Sequence, residues 1–170
     1  MSVKIILTNQ EVDQARAYEK AVMSTPTMRL KNYTGLSTQG RYFVGELGEI
    51  AFEKLLQGRG TEYQRSYNDQ GGPDDGDFIV NGIVIDVKNS INPAAKRLLV
   101  SDAQYKKHPS AMYVGASTIL SDKGAVVEIH GWVLAEDFIR RGKPFTLRIP
   151  STAMLYNELN PIKPKIAIAQ

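Results

Sequence analysis

The chain has 170 residues, 21 Lys and Arg against 18 Asp and Glu, a formal net charge of +3, no cysteine and two histidines. Those numbers exclude disulfides, thiolate metal centres, thiol nucleophiles and a three-histidine zinc site, so any enzyme chemistry falls to carboxylates, lysine, hydroxyls or a hard metal. The length fits a single domain able to bury its own core, and a pI of about 9.0 permits a polyanionic partner without requiring one.

The opening stretch, residues 1–11, lacks the apolar core and cleavage pattern of a signal peptide. No apolar run approaches the roughly 20 residues of a membrane span, so the expectation is a cytoplasmic protein with no membrane partner. Thr8 and Glu11 form a capping box that predicts a helix over about 9–23. Ser24 to Gly40 is a polar connector punctuated by Pro26, Gly35 and Gly40. A second helix follows from about Arg41 to Gln57, with Phe43, Leu47, Ile50, Ala51, Leu55 and Leu56 at helical spacing and Gly58 as its stop.

After Gly60 the period changes. Thr61 to Tyr67 reads as a strand, and Asn68 to Gly76 as a Gly-, Asp- and Pro-rich loop. Asp77–Val80 and Ile83–Asn89 flank Asn81-Gly82, a strong hairpin signal. Ser101 and Gln104 suggest a capped helix to about Lys107. Met112–Ile119 and Val126–Leu134 are two further strands around the turn 121–124, and Glu136–Arg141 is a short helix. The remainder, with Pro144, Pro150, Pro161 and Pro164, reads as a wrapping tail. The pattern is a mixed α/β domain around one sheet.

The hairpin carries the chemistry. With Asn81-Gly82 at the centre of a type I′ turn, Val80 pairs with Ile83, Ile79 with Val84, Phe78 with Ile85 and Asp77 with Asp86. Phe78, Val80, Ile83, Ile85 and Val87 then share an apolar face, while Asp77, Asp86 and Lys88 stand on the other. Two carboxylates directly opposite have Cβ atoms ~4.5–5.5 Å apart and destabilise a sheet unless a cation compensates. Mg²⁺ or Mn²⁺ suits such oxygen ligands. Charges embedded in an apolar strand are costly unless paired or functional. On the preceding helix Glu46, Glu49 and Glu53 share one face. Such rows are commonly solvated. Glu49, beside the small Gly48, is the first choice for a third metal carboxylate, and Glu46 is the reserve.

Glu49 on a helix, then Asp77, then Asp86-Val87-Lys88 resembles the PD-(D/E)xK nuclease superfamily, which includes type II restriction enzymes, Holliday-junction resolvases and many phage and archaeal-virus nucleases. The stretch Gly45 to Leu56 is similar to the G-x-x-G-E helix of several members, and His130 to Val133 to the last part of some phage-type ones. The resemblance covers about residues 40–119. It implies a restriction-endonuclease-like αβββαβ core with a mixed central sheet flanked by helices. Residues 1–39 would precede this catalytic core as a helix and connector, and 120–170 would follow it as a strand, short helix and basic tail, all one domain.

The implied activity is Mg²⁺- or Mn²⁺-dependent DNA endonuclease cleavage, of the kind used in restriction, repair and recombination, by a homodimer. Asp77, Asp86, the Val87 carbonyl and Glu49 would hold the metal, and Lys88 would assist the nucleophile. A literal Pro73-Asp74 is also present, so Asp74 or Asp75 stands as an alternative to Asp77. Gln104 is either a second site residue, as in some relatives, or only half of a capping box. Lys106, Lys107, Arg140 and Arg141 are candidates for DNA backbone contact, with Lys96 and Arg97 beside them. His108 and His130 receive no role. The competing readings are a DNA-binding or assembly protein that kept the fold without the chemistry, and a phosphohydrolase of small substrates, for which no nucleotide-cradling loop exists.

Overall fold

The computed structural model describes residues 2–24, 40–66, 76–91, 94, 96–107, 110–146 and 149–163, the side chain of Lys107 excepted. The Asp74 and Asp75 alternatives, Tyr67, His108 and most of the expected connector lie outside these residues, as does the end of the basic tail.

The element order is β1 (Val3–Leu7), α1 (Asn9–Ser24), α2 (Arg41–Gly58), β2 (Gln64–Arg65), β3 (Phe78–Val80), β4 (Ile83–Ser90), β5 (Arg97–Ser101), α3 (Asp102–Lys107), β6 (Met112–Ser121), β7 (Gly124–Leu134), α4 (Ala135–Arg141), β8 (Lys143–Thr146) and β9 (Pro150–Leu155), then a 3₁₀ turn at Tyr156–Glu158. The chain is a mixed α/β fold. Its main sheet runs β1-β7-β6-β4-β3-β2, and a small sheet runs β5-β9-β8. All pairs are antiparallel except β4 with β6, so the main sheet is mixed. No described helix is long and apolar enough to cross a membrane.

Alternation along the strands divides the main sheet into two faces. One packs on α1 and α2 through Leu47, Ile50, Ala51, Phe52, Phe78, Ile85, Val87, Ala116 and Ile129. The other, at the Tyr113 and Val133 end, is covered by Leu98, Val100, Phe138, Met154 and Leu159 from the small sheet and its helices. The Thr8–Glu11 box forms: Glu11 accepts from the Thr8 backbone N–H at 2.7 Å. The type I′ turn forms as well, with φ of 51° at Asn81 and 77° at Gly82.

Four strands depart from the expectation. Val3–Leu7 is the sheet's edge on β7. Arg97–Ser101 is a strand on β9. The expected tail contains β8 and β9, a hairpin whose prolines sit near strand starts on a small sheet, where a missing N–H is tolerated.

Candidate functional site

β4 is the positioning element. Its apolar residues Ile85 and Val87 enter the α2-side core, which turns Asp86 and Lys88 to the other face. Asp86 is 3% exposed, and its two oxygens take different donors. Lys88 Nζ donates to Oδ1 at 2.6 Å and Gln104 Nε2 to Oδ2 at 2.9 Å. The Ser101 half of the capping box forms, with the Gln104 backbone N–H donating to Ser101 Oγ at 3.3 Å, and the Gln104 side chain goes to Asp86 instead of back to the Ser101 backbone.

Asp77 corrects the expected register. The β3–β4 ladder ends at Phe78 with Ile85, so the Asp77–Asp86 rung does not form. Gly76, at φ 143°, turns the chain aside; a Cβ there would meet Val84 Cγ1 at 2.5 Å. The Asp77 N–H donates to Ile85 O at 2.8 Å, and its Oδ2 accepts from the Val87 N–H at 2.6 Å. The carboxylate thus takes the place of the next ladder carbonyl. An extended residue sends its N–H and C=O to the same edge, so the Val87 carbonyl faces the Asp77 side.

Glu49 comes from α2, which packs on the sheet face opposite Asp86, and it lies close enough to Asp77 for its charge to raise that carboxyl. Arg65, which sequence reasoning left unassigned, organises that helix face. Its guanidinium, with the side chain 4% exposed, donates to Glu46 (2.7 Å), Glu49 (3.1 Å) and Glu53 (2.9 Å), so the expected solvated row is an ion-pair cluster. Arg65 lies over the Phe78 ring, 5.7 Å from its centroid, and Tyr63 Oη donates to Glu53 at 2.8 Å. The signal available in the sequence was a single arginine in the strand after the helix, three glutamates upstream.

The charges are mutually strained. Burial, then the charges of Glu49 and Asp86, hold the Asp77 carboxyl well above the usual carboxylate range; Lys88 and the Val87 N–H pull the other way and lose. Burial likewise raises Glu46 in spite of Arg65. Tyr113, opposite Asp86 on β6, is pushed up to about 12 by burial and by Asp86. Its buried hydroxyl has no hydrogen-bond partner among the described residues.

Among the described residues no three acidic or histidine side chains converge as a ready metal cage. The reason is local: Lys88 and Gln104 occupy Asp86, the Val87 N–H occupies Asp77, and Arg65 occupies Glu49. The donor chemistry nevertheless fits a hard divalent cation, because burial and the neighbouring charges of Glu49 and Asp86 raise the Asp77 carboxyl at this strand end. Lys106 is exposed on α3. Arg140 pairs with Asp137 and Arg141 donates to Glu158 O at 3.0 Å, both at the end of α4. No family model, curated protein or solved structure matches the chain.

Proposed function

We propose that the protein is a metal-dependent DNA endonuclease with a restriction-endonuclease-like core, hydrolysing phosphodiester bonds at the end of the β3–β4 hairpin. The observation that carries this reading is the buried Asp86 carboxylate held between Lys88 and Gln104, with Asp77 at the adjoining strand end. A lysine two residues from a buried aspartate on one strand face, beside a second aspartate, is an arrangement that stability alone gives little reason to build.

Asp77, Asp86 and the Val87 carbonyl would hold Mg²⁺ or Mn²⁺, with Glu49 directly or through water. When bound, the metal supplies Lewis acidity to a phosphate oxygen and to water. Lys88, released from Asp86, orients the nucleophile and stabilises charge developing on the phosphate. Gln104 keeps Asp86 oriented during that release. Arg65 offsets the repulsion among Glu46, Glu49 and Glu53 and so holds Glu49 in place.

A second reading, a DNA-binding protein with the fold and without the chemistry, draws on the internal donor each carboxylate already has. Incubation with supercoiled, linear and branched DNA in Mg²⁺ and in EDTA separates the two. Metal-dependent nicking lost in Lys88→Ala supports the enzyme; binding without cleavage at any metal concentration supports the alternative.

A further inference from the structure

Beyond Asp86 and Lys88, the same sheet face continues across β6 and β7 as a polar strip. Lys88 is level with Gly115 on β6, and Gly115 with Gly131 on β7. The next outward-facing rung is Ser90 level with Ser117. The β6–β7 register slips after Gly115, which leaves His130 as an extra residue on β7. A bulge of this kind re-aims a side chain. Here it brings the His130 ring to Ser117, with Nε2 2.8 Å from Oγ.

The ring is fixed from its other side. Tyr156 stacks on His130 with centroids 3.9 Å apart and planes 10° apart, and its hydroxyl donates to Ala116 O at 2.9 Å. Tyr156 reaches this position because Gly115 has no side chain: a Cβ there would lie 3.0 Å from Tyr156 Cε1 and 2.9 Å from Leu159 Cδ1. The two small residues, the bulge and the tyrosine thus all serve to hold one imidazole against one serine. Both side chains are half-buried, as are Lys88 and Ser90, while Gly115 and Gly131 are buried under Tyr156 and Leu159, so the solvent-reached path from Lys88 to Ser117 runs by way of Ser90. Two residues along a strand and one strand across place Ser117 about 8 Å from Lys88 between Cα atoms. That is the scale of one step along a nucleic-acid backbone.

We propose that Ser117 and His130 bind the DNA phosphate next to the one attacked at Asp86 and Lys88. The proposal rests on the nuclease reading and adds a subsite to it. The chemistry is that of a neutral donor: the Ser117–His130 hydrogen bond uses one proton and leaves the pair one to offer an anionic oxygen, Oγ–H where Nε2–H donates to Oγ, or Nδ1–H where Oγ–H donates to Nε2. Burial lowers the His130 pKa and Glu128 opposes it only in part, so the ring acts as a neutral donor near neutral pH. A hydrogen bond to a charged oxygen contributes enough that losing one weakens binding by about tenfold or more.

The test is fluorescence anisotropy of a labelled duplex oligonucleotide near neutral pH, with Ca²⁺ in place of Mg²⁺ and salt varied. Ser117→Ala and His130→Ala are expected to bind about tenfold more weakly, with the slope of affinity against salt unchanged, because neither side chain displaces counterions. His130→Gln, which keeps a donor, recovers part of the loss. Ser117→Ala removes one oxygen and keeps the stack, so it decides the matter where His130→Ala does not fold. Wild-type affinity in both alanine variants, or a reduced salt slope in Ser117→Ala, overturns the subsite and leaves the nuclease reading standing. Failure of the wild-type protein itself to bind DNA overturns both, and is told apart because it appears before any substitution.

Discussion

Gln104 Nε2 lies 2.9 Å from Asp86 Oδ2, on the opposite oxygen from Lys88. One buried carboxylate is thereby held by a helix and by its own strand at once. Removing Gln104 leaves half of a buried charge without its donor. We expect Gln104→Ala to lose about 1.5–3 kcal/mol of stability, the cost of a hydrogen bond to a charged group, and to reduce DNA cleavage. Urea denaturation alongside a nicking assay checks both effects. Unchanged stability means that Asp86 finds its second donor elsewhere.

Arg65 holds Glu46, Glu49 and Glu53 together, and Glu46, buried where the other two are partly exposed, would be left as an unpaired buried charge with Arg65 gone. Arg65→Met removes the cation and keeps the volume. It is expected to cost about 3–5 kcal/mol, as for other broken buried pairs. Adding Glu46→Gln should restore part of that, since Glu46 is the most buried of the three acids. A double-mutant cycle measured by denaturation would show no recovery if the cluster were merely solvated.

Gly48 faces the hairpin: a Cβ there would meet Asn89 Cβ at 2.6 Å, whereas one at Gly58 would meet nothing within 4 Å. Gly48→Ala is expected to push α2 off β4, costing about 1–3 kcal/mol and displacing Glu49 from the site. Gly58→Ala is the control and should be neutral or slightly stabilising. Thermal melts of the two variants give the comparison. Equal melting temperatures would contradict the close helix–strand contact.

His130 carries a depressed pKa in the folded chain, chiefly through burial. Its ordinary value is about 6.5, so the unfolded chain takes up a proton in a range where the folded ring resists it. The stability it contributes is complete above about pH 6.5 and is lost as pH falls from there through the folded pKa. The difference in denaturation midpoint between the wild type and His130→Asn should therefore shrink on acidification. A difference that grows toward acid pH would reverse the assignment.

The hairpin was legible because local chemistry decides it: Asn81-Gly82 sets the turn and the apolar alternation sets the register. The last rung was not, because Gly76 turns the chain aside and lets the Asp77 carboxylate replace a backbone carbonyl, which no alternation pattern encodes. Gln104 was ambiguous between a cap and a site residue: its backbone N–H is capped by Ser101, and its side chain turns to Asp86. Arg65 was missed because its three partners belong to a helix and the argument from spacing treats each element by itself. The strands Val3–Leu7 and Arg97–Ser101 were missed because they are short, and their pairing to β7 and β9 lies far away in sequence. His130 offered no signal, since its position depends on a bulge.

The central claim is that Asp77 and Asp86 are metal ligands and not only partners for Val87 N–H and Lys88. A crystal soaked in Mn²⁺ and measured for anomalous scattering tests it most directly. The account expects a peak bound by both carboxylates, with Lys88 moved off Asp86 Oδ1. A Mn²⁺ peak elsewhere, or none, with the Lys88–Asp86 pair intact, would contradict it.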